Sequence, residues 1–72
     1  MKRPNADEHA RMLGATIHPC IAWTWAHGFV SPEAGRMFVE WLEEYGYEHR
    51  GYYPAQPDSA NPRLHLDGVR YR

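Results

Sequence analysis

Trp23 and Trp25 stand two residues apart in a chain of only 72 residues. The segment around them, residues 19–27, opens on Pro19 and stops at Gly28. That punctuation is helical, with proline at the first position and glycine just past the last. On a helix, residues two apart project toward nearly opposite sides. A domain this small buries only about 60% of the surface its unfolded chain exposes, so one core does not easily enclose both indoles. One of them is expected at an edge or on a partner surface.

A hydrophobic share of 43%, with 14% aromatic, is enough for one small core and a single domain over residues 1–72. The formal net charge of -1 gives the whole molecule no attraction to nucleic acid or anionic membrane, so electrostatic recognition must come from local patches. The single cysteine, Cys20, cannot form an intramolecular disulfide, and Met1-Lys2-Arg3-Pro4 leads into polar residues rather than an apolar signal segment. A cytoplasmic setting is the expectation, with no membrane partner, since no stretch approaches the ~20 apolar residues of a span.

Three helices are predicted. The first covers residues 5–13, with Asp7 and Glu8 in its first turn and Gly14 as its stop, turning Ala6, Ala10 and Leu13 inward. The second covers 19–27, with Ile21, Ala22, Trp25 and Ala26 on its core side and Cys20, Trp23, Thr24 and His27 opposite. The third covers 32–45, capped by Ser31 and closed by Gly46, with Ala34, Met37, Phe38, Trp41, Leu42 and Tyr45 at helical spacing. Residues 47–53 lose that period and gain tyrosines, which suits a strand, and 54–62 read as a loop. In residues 63–72, Asp67-Gly68 signals a two-residue turn that pairs Leu66 with Val69 and Leu64 with Tyr71 on an apolar face. The other face pairs His65 with Arg70 and Arg63 with Arg72. The expected fold class is α+β: three short helices, then a β-hairpin, extended to a three-stranded antiparallel sheet if 47–53 joins it.

Two charged surfaces follow. Glu33, Glu40, Glu43 and Glu44 fall on the outward side of the third helix, and residues 31–48 hold five glutamates against one arginine, Arg36. Opposed to them are the hairpin residues Arg63, His65, Arg70 and Arg72, whose crowding calls for a counter-anion. Trp23, with His27 one turn away, is the candidate aromatic anchor for a partner.

No catalytic constellation emerges. Cys20 near a helix start with His18 beside it has the setting of an activated thiol, yet it lacks a resolving cysteine and a residue to orient His18. Five histidines invite a metal, but Cys20 and His27 would lie about 10 Å apart along a helix, too far to share one ion, so neither metal nor cofactor is expected. The order of helix two, a short turn containing Gly28, helix three and a basic hairpin resembles a winged helix-turn-helix. That resemblance implies DNA binding in the manner of a regulator or excisionase, with Arg36, Arg63, His65, Arg70 and Arg72 as the contacts. The glutamates of helix three would repel phosphates in a major groove. The leading expectation is therefore a non-enzymatic protein-interaction module, such as a phage-type accessory protein that modulates or inhibits a host machine. It would engage a basic protein surface through Trp23, His27, Glu33, Glu40, Glu43 and Glu44.

Overall fold

The computed structural model describes residues 4–55 and 66–72. They form an α+β unit in the order α1 (Ala6–Met12), β1 (Thr16–Pro19), β2 (Thr24–His27), α2 (Pro32–Glu44), β3 (His49–Tyr53) and β4 (Gly68–Tyr71). The four strands make one antiparallel sheet in the order β1-β2-β4-β3, and both helices pack on the same face of it.

Both helices form where the caps place them. Asn5 Oδ1 accepts from the Glu8 amide at 3.2 Å, and Ala6 and Ala10 turn into the core. Ser31 Oγ accepts from the Ala34 amide at 3.2 Å, with Pro32 opening the first turn. The buried stripe of α2 is Ala34, Gly35, Phe38 and Leu42. Met37 and Tyr45, expected inside, are exposed, and Trp41 is half-buried under the ring of His9, stacked at 4.4 Å. The inward stripe is turned toward Gly35, against which the Tyr52 ring of β3 packs. A Cβ on Gly35 would collide with that ring, so the position takes glycine despite its cost of about 1 kcal/mol in a helix.

The predicted helix over residues 19–27 is a β-hairpin instead. Thr16 pairs with His27 and Pro19 with Thr24, and the Cys20 amide donates to the Trp23 carbonyl at 2.8 Å, leaving Ile21 and Ala22 as the turn. The segment's true period is 2. Trp23, Trp25 and His27 line one face and Thr24 and Ala26 the other, in a run rich in β-branched and aromatic residues. Pro19 is accommodated because β1 is an edge strand.

The C-terminal segment also departs from expectation. β4 is a central strand, paired with β2 through Trp25↔Arg70 and Ala26↔Val69 and with β3 through Tyr52↔Val69 and Tyr53↔Gly68. With both edges occupied, Val69 cannot pair with Leu66, which is exposed and belongs to no strand. Leu64, and the His65 and Arg63 expected opposite Arg70 and Arg72, lie outside the described residues, and Arg70 is paired with Trp25. Asp67 and Gly68 do not form a turn. Asp67 is buried and accepts from the Gly28 amide at 2.7 Å, the Phe29 amide at 3.2 Å and the Tyr52 hydroxyl at 3.3 Å, pinning the β2–α2 connection to the sheet. Burial and the neighbouring Asp67 carboxylate raise the Tyr52 hydroxyl above its ordinary range.

Phe38, Leu42 and Val69 fill the centre. Phe38 meets Tyr71 edge-on at 5.2 Å and Phe29 at 5.5 Å, while alanines at positions 6, 10, 15, 26 and 34 allow close approach around them. The buried Tyr71 hydroxyl donates to Asp7 Oδ1 at 2.5 Å, fastening α1 to the central strand, and burial raises its pKa far above the ordinary tyrosine value. Because the winged-helix order needs a helix where β1 and β2 stand, that architecture is absent.

Candidate nucleic-acid interface

With both helices on one face, no other element among the described residues covers the second face of the sheet, and strand alternation dictates what it shows. Residues opposite Ala26, Val69 and Tyr52 point to the core, and their neighbours point out. The outward set is His18 on β1, Trp25 and His27 on β2, Arg70 on β4, and Tyr53 and Arg50 on β3, extended by Trp23 and Arg72 at the strand ends. Among the described residues this face carries one carboxylate, Glu48, which pairs with Arg72 at 3.1 Å.

The side chains are layered rather than splayed. Arg72 lies 4.3 Å and Arg50 5.0 Å from the Trp23 ring centre, and Arg70 lies 5.8 Å from that of Trp25. Such contacts hold a guanidinium flat on an indole while leaving its N–H groups at the surface. The Trp25 indole leans across Gly68, where a Cβ would collide with Nε1, so the glycine beside Asp67 makes room for an aromatic ring. His27 packs on Trp25 at 4.3 Å and on His18 at 4.6 Å. Its Nε2 is buried with no hydrogen-bond partner. Burial and then the adjacent His18 lower its pKa below the usual histidine value, with Asp67 opposing more weakly. A shallow cleft of about 330 Å³ opens on this face between Trp23, Arg50, Tyr53 and Arg70.

The residues read from sequence as one interface divide between two sides. Trp23 and His27 are half-buried on the sheet face, beside Arg70 and Arg72. Glu33, Glu40, Glu43 and Glu44 are exposed on α2, on the opposite side of the molecule. Arg36 pairs with Glu33 at 3.4 Å, and Glu43 meets His49 Nε2 at 3.1 Å. Arg63 and His65 lie outside the described residues. Arg50 and Tyr53 were not singled out from sequence, Trp25 was expected on a core side, and His18 was weighed only beside Cys20. The two-residue alternation of Trp23, Trp25 and His27 is the signal that could have found this face, since it marks one side of a strand. Cys20 is exposed in the hairpin, its Sγ 3.7 Å from the His18 carbonyl oxygen.

No protein-family model, curated protein or solved structure matches this chain. Geometry and chemistry alone carry the functional reading.

Proposed function

We propose that this protein binds single-stranded nucleic acid on the open face of its sheet. The observation that carries the reading is the interleaving of Trp23, Trp25 and Tyr53 with Arg50, Arg70 and Arg72 on the one face that no helix covers. Single strands are bound by stacking unpaired bases on aromatic rings or guanidinium planes while cations track the backbone, each stacked base contributing ~1–3 kcal/mol. Duplex fits less well. A four-stranded sheet is broader than the helix or two-stranded ribbon that the major groove admits, and the exposed side of α2 presents carboxylates that phosphates repel.

Fluorescence anisotropy with single-stranded DNA, single-stranded RNA and duplex of equal length tests the reading. One or both single strands are expected to bind tighter than duplex. The log of affinity should fall with log salt at a slope of about -1.4, as neutralising about two phosphates on a single strand requires. Arg50→Ala with Arg70→Ala should flatten that slope. Equal or tighter binding of duplex, or no binding at all, would overturn the reading.

A second reading rests on a separate observation, the four exposed carboxylates of α2. They suit a basic protein surface, as for an accessory protein that modulates a larger machine. Glu40→Arg with Glu43→Arg would abolish such an interaction and leave oligonucleotide binding intact.

A further inference from the structure

We infer that the cleft between Trp23, Arg50, Tyr53 and Arg70 is a subsite for a terminal phosphate, so that the protein prefers single strands carrying a phosphate monoester at one end. This rests on the nucleic-acid reading and sharpens it to a class of strand end. The argument is one of charge. Arg50 and Arg70 line the cleft, and Arg72 lies over the same indole as Arg50, at 4.3 Å and 5.0 Å respectively. Glu48 offsets one of these three cations through its 3.1 Å contact with Arg72. Among the described residues, Arg50 on Trp23 and Arg70 on Trp25 meet no carboxylate, so the cleft keeps two positive charges. A phosphodiester inside a strand carries a single negative charge, whereas a terminal monoester carries about -1.5 to -2 at neutral pH and offers three strong acceptor oxygens.

The donors are also ordered in advance. Trp23 and Trp25 hold the Arg50 and Arg70 guanidiniums against their rings, which leaves N–H groups at the cleft for the paired hydrogen bonds that arginine makes to phosphate oxygens, while Arg72 turns its own toward Glu48. Tyr53, 61% exposed at the cleft wall, offers a ring on which the terminal base can stack while its phosphate meets the arginines. Phosphate and base are thus recognised together. Arg50 and Arg70 supply the charge and Tyr53 supplies the selection for a nucleotide.

The test compares strands of about ten nucleotides, a length within the span of small single-strand binding modules. Oligo-dT and oligo-U carry an internal fluorophore and a 5′-phosphate, a 3′-phosphate or hydroxyls at both ends. One phosphorylated end is expected to bind about tenfold tighter than the hydroxyl-ended strand, as two additional charge-assisted hydrogen bonds would produce. In Arg50→Gln with Arg70→Gln, checked for an unchanged melting temperature, that preference should vanish while weaker binding of all strands persists. Should the three end chemistries bind within about twofold of one another, the terminal-phosphate subsite is wrong and the single-strand reading stands. Absence of binding by every strand would remove both. A phosphoserine peptide that competes as well as the phosphorylated strand would overturn the assignment of the subsite to nucleic acid.

Discussion

The two faces of the sheet use their aromatic residues in opposite ways. On the helix-covered face, Tyr71 is buried, its hydroxyl bonded to Asp7, and Tyr52 lies against Gly35, both within a core centred on Phe38, Leu42 and Val69. On the open face, Trp23 and Trp25 carry arginines and histidines and meet solvent along their edges. The core is rich in alanine, while two of the three tryptophans stand outside it. A chain with little apolar surface to spare has put its largest side chains where folding gains least from them. That distribution separates the residues that hold the fold from those that meet a partner.

Breaking the covered face should have the largest effect. Phe38→Ala empties the centre of the core and should cost about 3–5 kcal/mol, comparable to the whole stability of a small domain, so the cooperative melting transition should be lost. A Phe38→Ala protein that melts like the parent would show that this face is not the core. Asp67→Ala comes next, because it leaves the Gly28 and Phe29 amides without their acceptor. The buried Phe29 amide, once orphaned, costs about 1–3 kcal/mol, the exposed Gly28 amide less, and urea titration should reveal the loss.

On the open face the balance reverses. Trp23→Ala removes two cation–π contacts worth about 0.5–1 kcal/mol each at an exposed site, so its melting temperature should fall far less than that of Phe38→Ala. Affinity for a single strand should drop about tenfold, because the arginines lose the ring that orders them. A large stability loss with unaltered affinity per folded molecule would remove Trp23 from the interface.

The smallest expected effect is a pH dependence centred on His27. Its folded pKa lies below the unfolded value of about 6.5, so the unfolded chain takes up a proton first as pH falls. The stability this provides is fully present above about pH 6.5 and is lost as pH falls through the unfolded value toward the folded one. Relative to His27→Gln, the parent should lose melting temperature between neutral and mildly acidic pH. Parallel melting curves across that range would show that the buried, unpartnered Nε2 is not felt.

Legibility in the sequence followed the local signals. α1 and α2 were readable because Asn5, Ser31 and Pro32 open them and Gly14 and Gly46 follow their ends, and the acidic side of α2 follows from helical spacing. The β1–β2 hairpin was not, because Pro19 and Gly28 mimic helix punctuation. Its Ile21-Ala22 turn also closes with no non-glycine residue at positive φ, and so without the Asn-Gly or Asp-Gly mark that the commonest hairpin turns carry. Asp67-Gly68 carried that mark for other reasons, one residue accepting backbone amides and the other yielding space to Trp25. The interface was half legible. Trp23, Arg70 and Arg72 stood out by type, whereas Arg50 and Tyr53 joined them only through the pairing of β3 with β4.

The most direct test of the open face as the binding surface is a two-dimensional ¹H–¹⁵N NMR titration of the intact protein with a single-stranded oligonucleotide. The indole N–H signals of Trp23 and Trp25 and the amides of Arg50, Tyr53 and Arg70 should shift together and saturate at one affinity, while those of Glu33, Glu40 and Glu44 on α2 stay in place. Shifts confined to α2, or none on the sheet face at saturating oligonucleotide, would contradict the account.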